Sequence, residues 1–116
     1  MKYMLLIYGD EQEAADSTPE QLQAGADEYE RFTRSITESG HFLDGDPFMP
    51  TSTASVVQVR DGRTETSPGP AVKTDPQLLA YYKVEAKSPE EAAGMAARIP
   101  GARYGAIEVR QVVDFG

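Results

Sequence analysis

The chain has 116 residues, 40% hydrophobic and 26% charged, which is one soluble globular domain and leaves no room for separate cofactor and substrate domains. Eleven lysines and arginines against nineteen aspartates and glutamates give a net charge of −8, a field that repels phosphate backbones and anionic lipid, so neither nucleic acid nor a membrane is an expected partner. No cysteine is present, which excludes disulfides, thiolate metal sites and cysteine nucleophiles and suits the cytoplasm.

The apolar run Tyr3 to Tyr8 ends at Gly9-Asp10. It is too short for a secretory h-region with its cleavage site, and no segment approaches the roughly 20 apolar residues that cross a bilayer, so it predicts a buried first strand. A polar, acidic stretch follows to Ser17, and Thr18-Pro19-Glu20-Gln21 then supplies an N-cap, a first-turn proline and the glutamine of a capping box. The helix opened there carries Leu22, Ala26, Tyr29, Phe32 and Ile36 at three- and four-residue steps, an apolar face for a sheet. Gly40 suits the left-handed position past its last turn.

Residues 44 to 52 contain Asp44-Gly45-Asp46-Pro47 and Pro50, and this density of turn formers predicts a loop. Thr53 to Arg60 is β-branched and ends at Asp61-Gly62, a strong two-residue hairpin signal, with Arg63 to Thr66 as the return arm. Leu78 to Ala86 alternates Tyr81, Lys83 and Glu85 against Ala80, Tyr82, Val84 and Ala86, a strand with one mixed and one apolar face. Ser88-Pro89-Glu90-Glu91 caps a second helix that runs to about Arg98, and Ala106 to Val113 alternates as the final strand. The order predicts an α+β fold, a ferredoxin-like βαββαβ sandwich over residues 1–116, with an antiparallel sheet and both helices on one face. The other face carries enough apolar residues that a face-to-face homodimer is expected to cover it.

Met1-Lys2-Tyr3-Met4-Leu5-Leu6-Ile7-Tyr8, the Ser39-Gly40-His41 corner, the Val59-Arg60-Asp61-Gly62-Arg63 hairpin, Ala96-Ala97-Arg98-Ile99-Pro100 and Tyr104-Gly105-Ala106-Ile107-Glu108-Val109-Arg110 together resemble the YCII-related proteins, in the branch with an Asp-Gly-Pro-Phe (DGPF) motif. The departure lies at that signature, where Pro68-Gly69-Pro70-Ala71 stands and the carboxylate expected at position 68 is absent. The resemblance implies a dimeric α+β barrel with clefts beside the interface. Within the wider family it also points to a dehydrochlorinase of chlorinated hydroxyhydroquinones that uses a His-Asp pair, and to genes that lie beside sigma factors of the extracytoplasmic type.

His41 is the one histidine and the one side chain with an ordinary pKa near neutrality, so it is the candidate general acid or base, with Asp44 or Asp46 as the carboxylate that orients it. The same ring also suits the end of the first helix, whose carbonyls attract an imidazolium. Lys73 and Asp75 either line a cleft or stand as solvated loop charges. Tyr81, Lys83, Glu108 and Arg110 on the mixed strand faces either bind a small polar ligand or form ion pairs across the dimer interface. Ser67 has no base or nucleophile elbow beside it. One histidine and no cysteine give little basis for a metal site, and the isolated glycines form no phosphate loop, so no cofactor is implied. Two functions are expected: acid/base chemistry on a small, aromatic substrate through His41 and Asp46, or a non-catalytic binding or regulatory module that partners a sigma factor.

Overall fold

The computed structural model describes residues 1–116. Its elements are β1 (Lys2–Gly9), α1 (Glu11–Ala15), α2 (Pro19–Glu38), β2 (Phe42–Pro47), a 3-10 turn (Thr51–Thr53), β3 (Ser55–Arg60), β4 (Arg63–Pro68), β5 (Gln77–Glu85), α3 (Pro89–Arg98), a second 3-10 turn (Pro100–Arg103) and β6 (Ala106–Gln111). Four strands form an antiparallel sheet in the order β2-β5-β1-β6, the ferredoxin-like arrangement, and β3 and β4 form a ribbon of their own.

The helices begin where the caps predict. Thr18 accepts from the Gln21 N–H while the Gln21 side chain accepts from the Thr18 N–H, which satisfies two orphan amides at the start of α2. Ser88 accepts from the Glu91 N–H and opens α3 in the same way. Gly40, at φ +80°, ends the α2 corner. The acidic stretch after β1 is not plain loop, because Asp10 caps α1 by accepting from Gln12 N–H.

Alternation along β1 decides where the core lies. Tyr3, Leu5 and Ile7 are buried, while Met4, Leu6 and Tyr8 are half-buried on the opposite face. The twelve core residues, including Phe32 and Ile36 of α2, Val84 of β5 and Met95 of α3, form one cluster on the helix-covered face. Leu22 and Ala26, predicted to pack on the sheet, are exposed, so the first half of α2 overhangs it. The molecule is a slab of 47 × 46 × 18 Å with a radius of gyration of 16.2 Å, against roughly 13 Å for a compact chain of this length.

Two sequence expectations are corrected. Residues 44–47 are not loop but the second half of β2. This strand lies on the sheet edge, where Pro47 withdraws no hydrogen bond from a central ladder, and Gly45 lets it approach β5. A Cβ at Gly45 would stand 2.7 Å from the Tyr82 ring and 3.1 Å from the Tyr81 carbonyl oxygen. The Thr53–Arg60 segment, whose hairpin turn forms at Asp61-Gly62, is not part of the main sheet, and the β3–β4 ribbon projects from it.

Leu5→Ala removes a wholly buried side chain from the middle of the core and is expected to lower unfolding stability by about 2–5 kcal/mol in urea titration. Gly105→Ala is expected to cost about 1–3 kcal/mol, because its new Cβ would run into the Tyr8 carbonyl where β6 joins β1.

Candidate functional site

The bare sheet face collects most of the polar residues singled out from the sequence. Between Phe42 and Asp44 the β2 register shifts by one residue against β5, a bulge that aims Phe42 at the core and turns Asp44 to the other side. Asp44 then pairs with Lys83 and Asp46 with Tyr81, while Arg110 and Glu108 of β6 pair with Met4 and Leu6 of β1. Asp44, Asp46, Tyr81, Lys83, Glu108 and Arg110 therefore share one face.

Their electrostatics differ across the sheet. The Tyr81 hydroxyl donates to Asp44 Oδ2 at 2.9 Å and lies 3.3 Å from Asp46 Oδ2. The hydrogen bond to Asp44, some desolvation and the two carboxylate charges push the Tyr81 phenol up to about 12. At neutral pH Tyr81 is a hydrogen-bond donor and not a base. At the far edge Arg110 Nη1 donates to Glu108 Oε2 at 2.9 Å, so that pair largely neutralises itself, while Lys83 makes no ion pair within the protomer.

His41 and Asp46 do not meet. The imidazole lies on the helix side, its Nε2 2.9 Å from Glu91 Oε1 and its Nδ1 2.6 Å from Ser39 Oγ. Here the imidazole joins the C-terminal end of α2 to the first turn of α3, and the bulge at Leu43 sends both aspartates to the opposite face. The predicted His41–Asp46 pair, and the alternative with Asp44, are thereby corrected. A neutral ring that donates its Nε2 proton to Glu91 accepts the Ser39 hydroxyl proton; a charged ring donates at both nitrogens and turns that hydroxyl toward the Ile36 carbonyl, 3.2 Å away. Partial desolvation raises the Glu91 carboxyl, but the His41 bond, the Lys87 N–H and the nearby positive charges outweigh it and hold it below its ordinary range.

A cleft of about 600 Å³ opens at the end of the sheet, beside the two aspartates. Tyr8 and Leu78 form its floor, residues from Phe48 to Ala54 other than Ser52 form one wall, and Pro70, Ala71, Val72 and Thr74 form the other. Phe48 belongs to both features, since it lines the cleft and its ring stacks on Tyr81 at 5.8 Å between centroids. Glu11 at the start of α1 fixes the wall by accepting from the Thr51 N–H at 2.7 Å and the Thr51 hydroxyl at 2.8 Å. Gly69, at φ +91°, donates to the Ala54 carbonyl and closes the root of the ribbon. The altered Pro68-Gly69-Pro70-Ala71 segment thus borders the cleft, with Pro70 and Ala71 in its wall. Lys73 and Asp75 are exposed and stand outside that wall, although Thr74 between them belongs to it.

The cleft residues Phe48, Met49 and Val72 were not singled out from the sequence. Phe48 is 49%, Met49 75% and Val72 65% exposed. Large apolar residues in segments bounded by Pro47 and Pro50, or next to Pro70, were the available signal. No set of three or more metal-ligating side chains converges.

The model of the YCII-related domain matches residues 1–116. This chain belongs to the YCII-related family. An uncharacterised protein of Rhizobium meliloti (strain 1021) is 28% identical over 112 residues, spanning 95% of this chain and 90% of that protein. No helix is long and apolar enough to cross a membrane.

Two titrations check these electrostatics. Followed by NMR of carbon-labelled tyrosine rings, Tyr81 is expected to ionise near 12, and Asp44→Asn to return it toward 10, because the raising charge and strongest acceptor are lost. Glu91, with its lowered pKa, contributes stability that is complete above the carboxyl's ordinary range and is lost as pH falls through the lowered value. Thermal unfolding at decreasing pH is expected to show a smaller acid-dependent loss in His41→Ala than in the wild type, because the bond that lowers the Glu91 carboxyl is gone.

Proposed function

We propose that this YCII-related protein is a cytoplasmic homodimer that binds a small molecule without transforming it, using the cleft between Tyr8, Phe48 and Val72. The cleft itself carries the proposal: about 600 Å³ lies within the usual range of ligand sites, and its wall is mostly apolar with a few polar groups. The chemistry expected of His41 loses its support because the imidazole is engaged with Ser39 and Glu91 on the other side of the sheet.

The homodimer is supported by the shape of the protomer. A slab 18 Å thick leaves Met4 and Leu6 on a face that no helix covers, flanked by charged groups of both signs. Apolar centre and charged rim are the composition of a two-fold interface, and Lys83, without an ion pair in the protomer, offers a cation to the carboxylates of a second copy. The cytoplasm fits a chain without cysteine whose apolar N-terminal run is committed to the central strand β1.

The test is a thermal-shift screen of small neutral and ionised compounds against the full chain. Any compound that raises the unfolding midpoint is expected to act equally on His41→Ala and to lose its effect on Phe48→Ala. Sedimentation velocity is expected to show a dimer that Leu6→Lys dissociates. A shift that depends on His41 and is accompanied by turnover would overturn the binding assignment in favour of catalysis.

A further inference from the structure

The chemistry of the cleft wall restricts what it accepts. None of its thirteen lining residues carries a formal charge, although 26% of the chain is charged. A charged ligand entering this cleft would shed water without gaining a counter-ion. An anion would in addition approach Asp44 and Asp46 behind Phe48, in a chain of net charge −8.

The hydrogen bonds already made within the wall narrow the class further. Each of its three threonine hydroxyls spends its proton inside the protein: Thr51 on Glu11 at 2.8 Å, Thr53 on the Pro50 carbonyl at 2.7 Å and Thr74 on the Pro76 carbonyl at 2.8 Å. A hydroxyl that has donated its one proton keeps its lone pairs, so toward a ligand these three oxygens can only accept. Gln77 spends one amide proton on the Thr74 carbonyl and keeps its own side-chain oxygen. Tyr8 alone has a hydroxyl with no partner inside the protomer. Among the side chains of the wall acceptors therefore outnumber donors, which are the Tyr8 hydroxyl and the second Gln77 amide proton, and the remaining side chains, among them Phe48, Met49, Val72 and Leu78, are apolar.

We infer that the cleft selects an uncharged, largely apolar, flat molecule that carries a hydrogen-bond donor, an O–H or N–H, toward the threonine oxygens. This inference rests on the assignment of the cleft as a ligand site, and it adds the ligand's charge and hydrogen-bond polarity. The stacked Phe48 and Tyr81 rings favour a planar ligand, which offers its face to an aromatic wall at small cost in conformational entropy.

The test compares three probes of nearly equal shape against the full chain by ligand-detected NMR: indole, benzofuran, in which oxygen replaces the N–H, and indole-3-acetate, which adds a negative charge. Indole is expected to bind roughly 3- to 10-fold more tightly than benzofuran, the range of one net neutral hydrogen bond, and more tightly than indole-3-acetate. Val72→Arg, at an exposed position that tolerates a long side chain, is expected to abolish indole binding. Benzofuran binding as tightly as indole overturns the donor requirement, and indole-3-acetate binding more tightly overturns the requirement for neutrality; in both cases the cleft remains a ligand site. Binding of indole that survives Val72→Arg, or no binding of any probe, overturns the inference together with the cleft assignment.

Discussion

A four-stranded sheet has two faces, and this chain has helices for one. Everything distinctive about the molecule follows from that constraint. Tyr3, Leu5 and Ile7 of β1 meet Phe32, Ile36, Met95 and Ile99 and form a single dry cluster, while Met4, Leu6 and Tyr8, one residue out of step, are left at a surface. Period-two alternation makes the two outcomes inseparable, because the strand cannot bury one set without presenting the other. The flat shape of the protomer and the mixture of apolar and charged groups on its bare face are consequences of the same geometry.

The one-residue bulge in β2 has a comparable reach. Without it, Phe42 and Asp44 would lie on the same face, and either an aromatic ring would be lost from the core or a carboxylate would be forced toward it. With it, Phe42 packs edge-on against Tyr82 while Asp44 and Asp46 take up the Tyr81 hydroxyl on the opposite side. The bulge thus separates the chain's two polar clusters. Ser39, His41 and Glu91 tie the end of α2 to the start of α3, a clamp between helices. Asp44, Asp46 and Tyr81 form an acidic, donor-anchored corner whose outer side is Phe48 and the cleft.

Within that cleft the threonine hydroxyls are already bonded to other groups of the protein, and this is what gives it character. Glu11 holds Thr51, Thr53 caps its own turn and Thr74 closes the loop before β5. Such internal bonds shape the wall in advance, so little ordering remains to oppose a ligand, and they decide which end of each hydroxyl is left over.

Much of the architecture is legible in the sequence, since caps, glycine corners and alternation are local. Thr18 to Gln21 and Ser88 to Glu91 start their helices by bonds within four residues, and Asp61-Gly62 turns its hairpin with no help from the rest of the chain. The places of β1, α2, β5, α3 and β6, and the set Tyr81, Lys83, Glu108 and Arg110 on the bare face, follow from such short-range rules. What tertiary structure alone decided is which distant groups touch. Asp44-Gly45-Asp46-Pro47 becomes a strand because an edge position accepts it. His41 finds Glu91, fifty residues on, in place of an aspartate three or five residues on, and the cleft is assembled from three separate segments whose apolar residues look like unremarkable loop. Local bonds are written in neighbouring residues, whereas the pairing of remote side chains is set by packing, which sequence spacing does not encode.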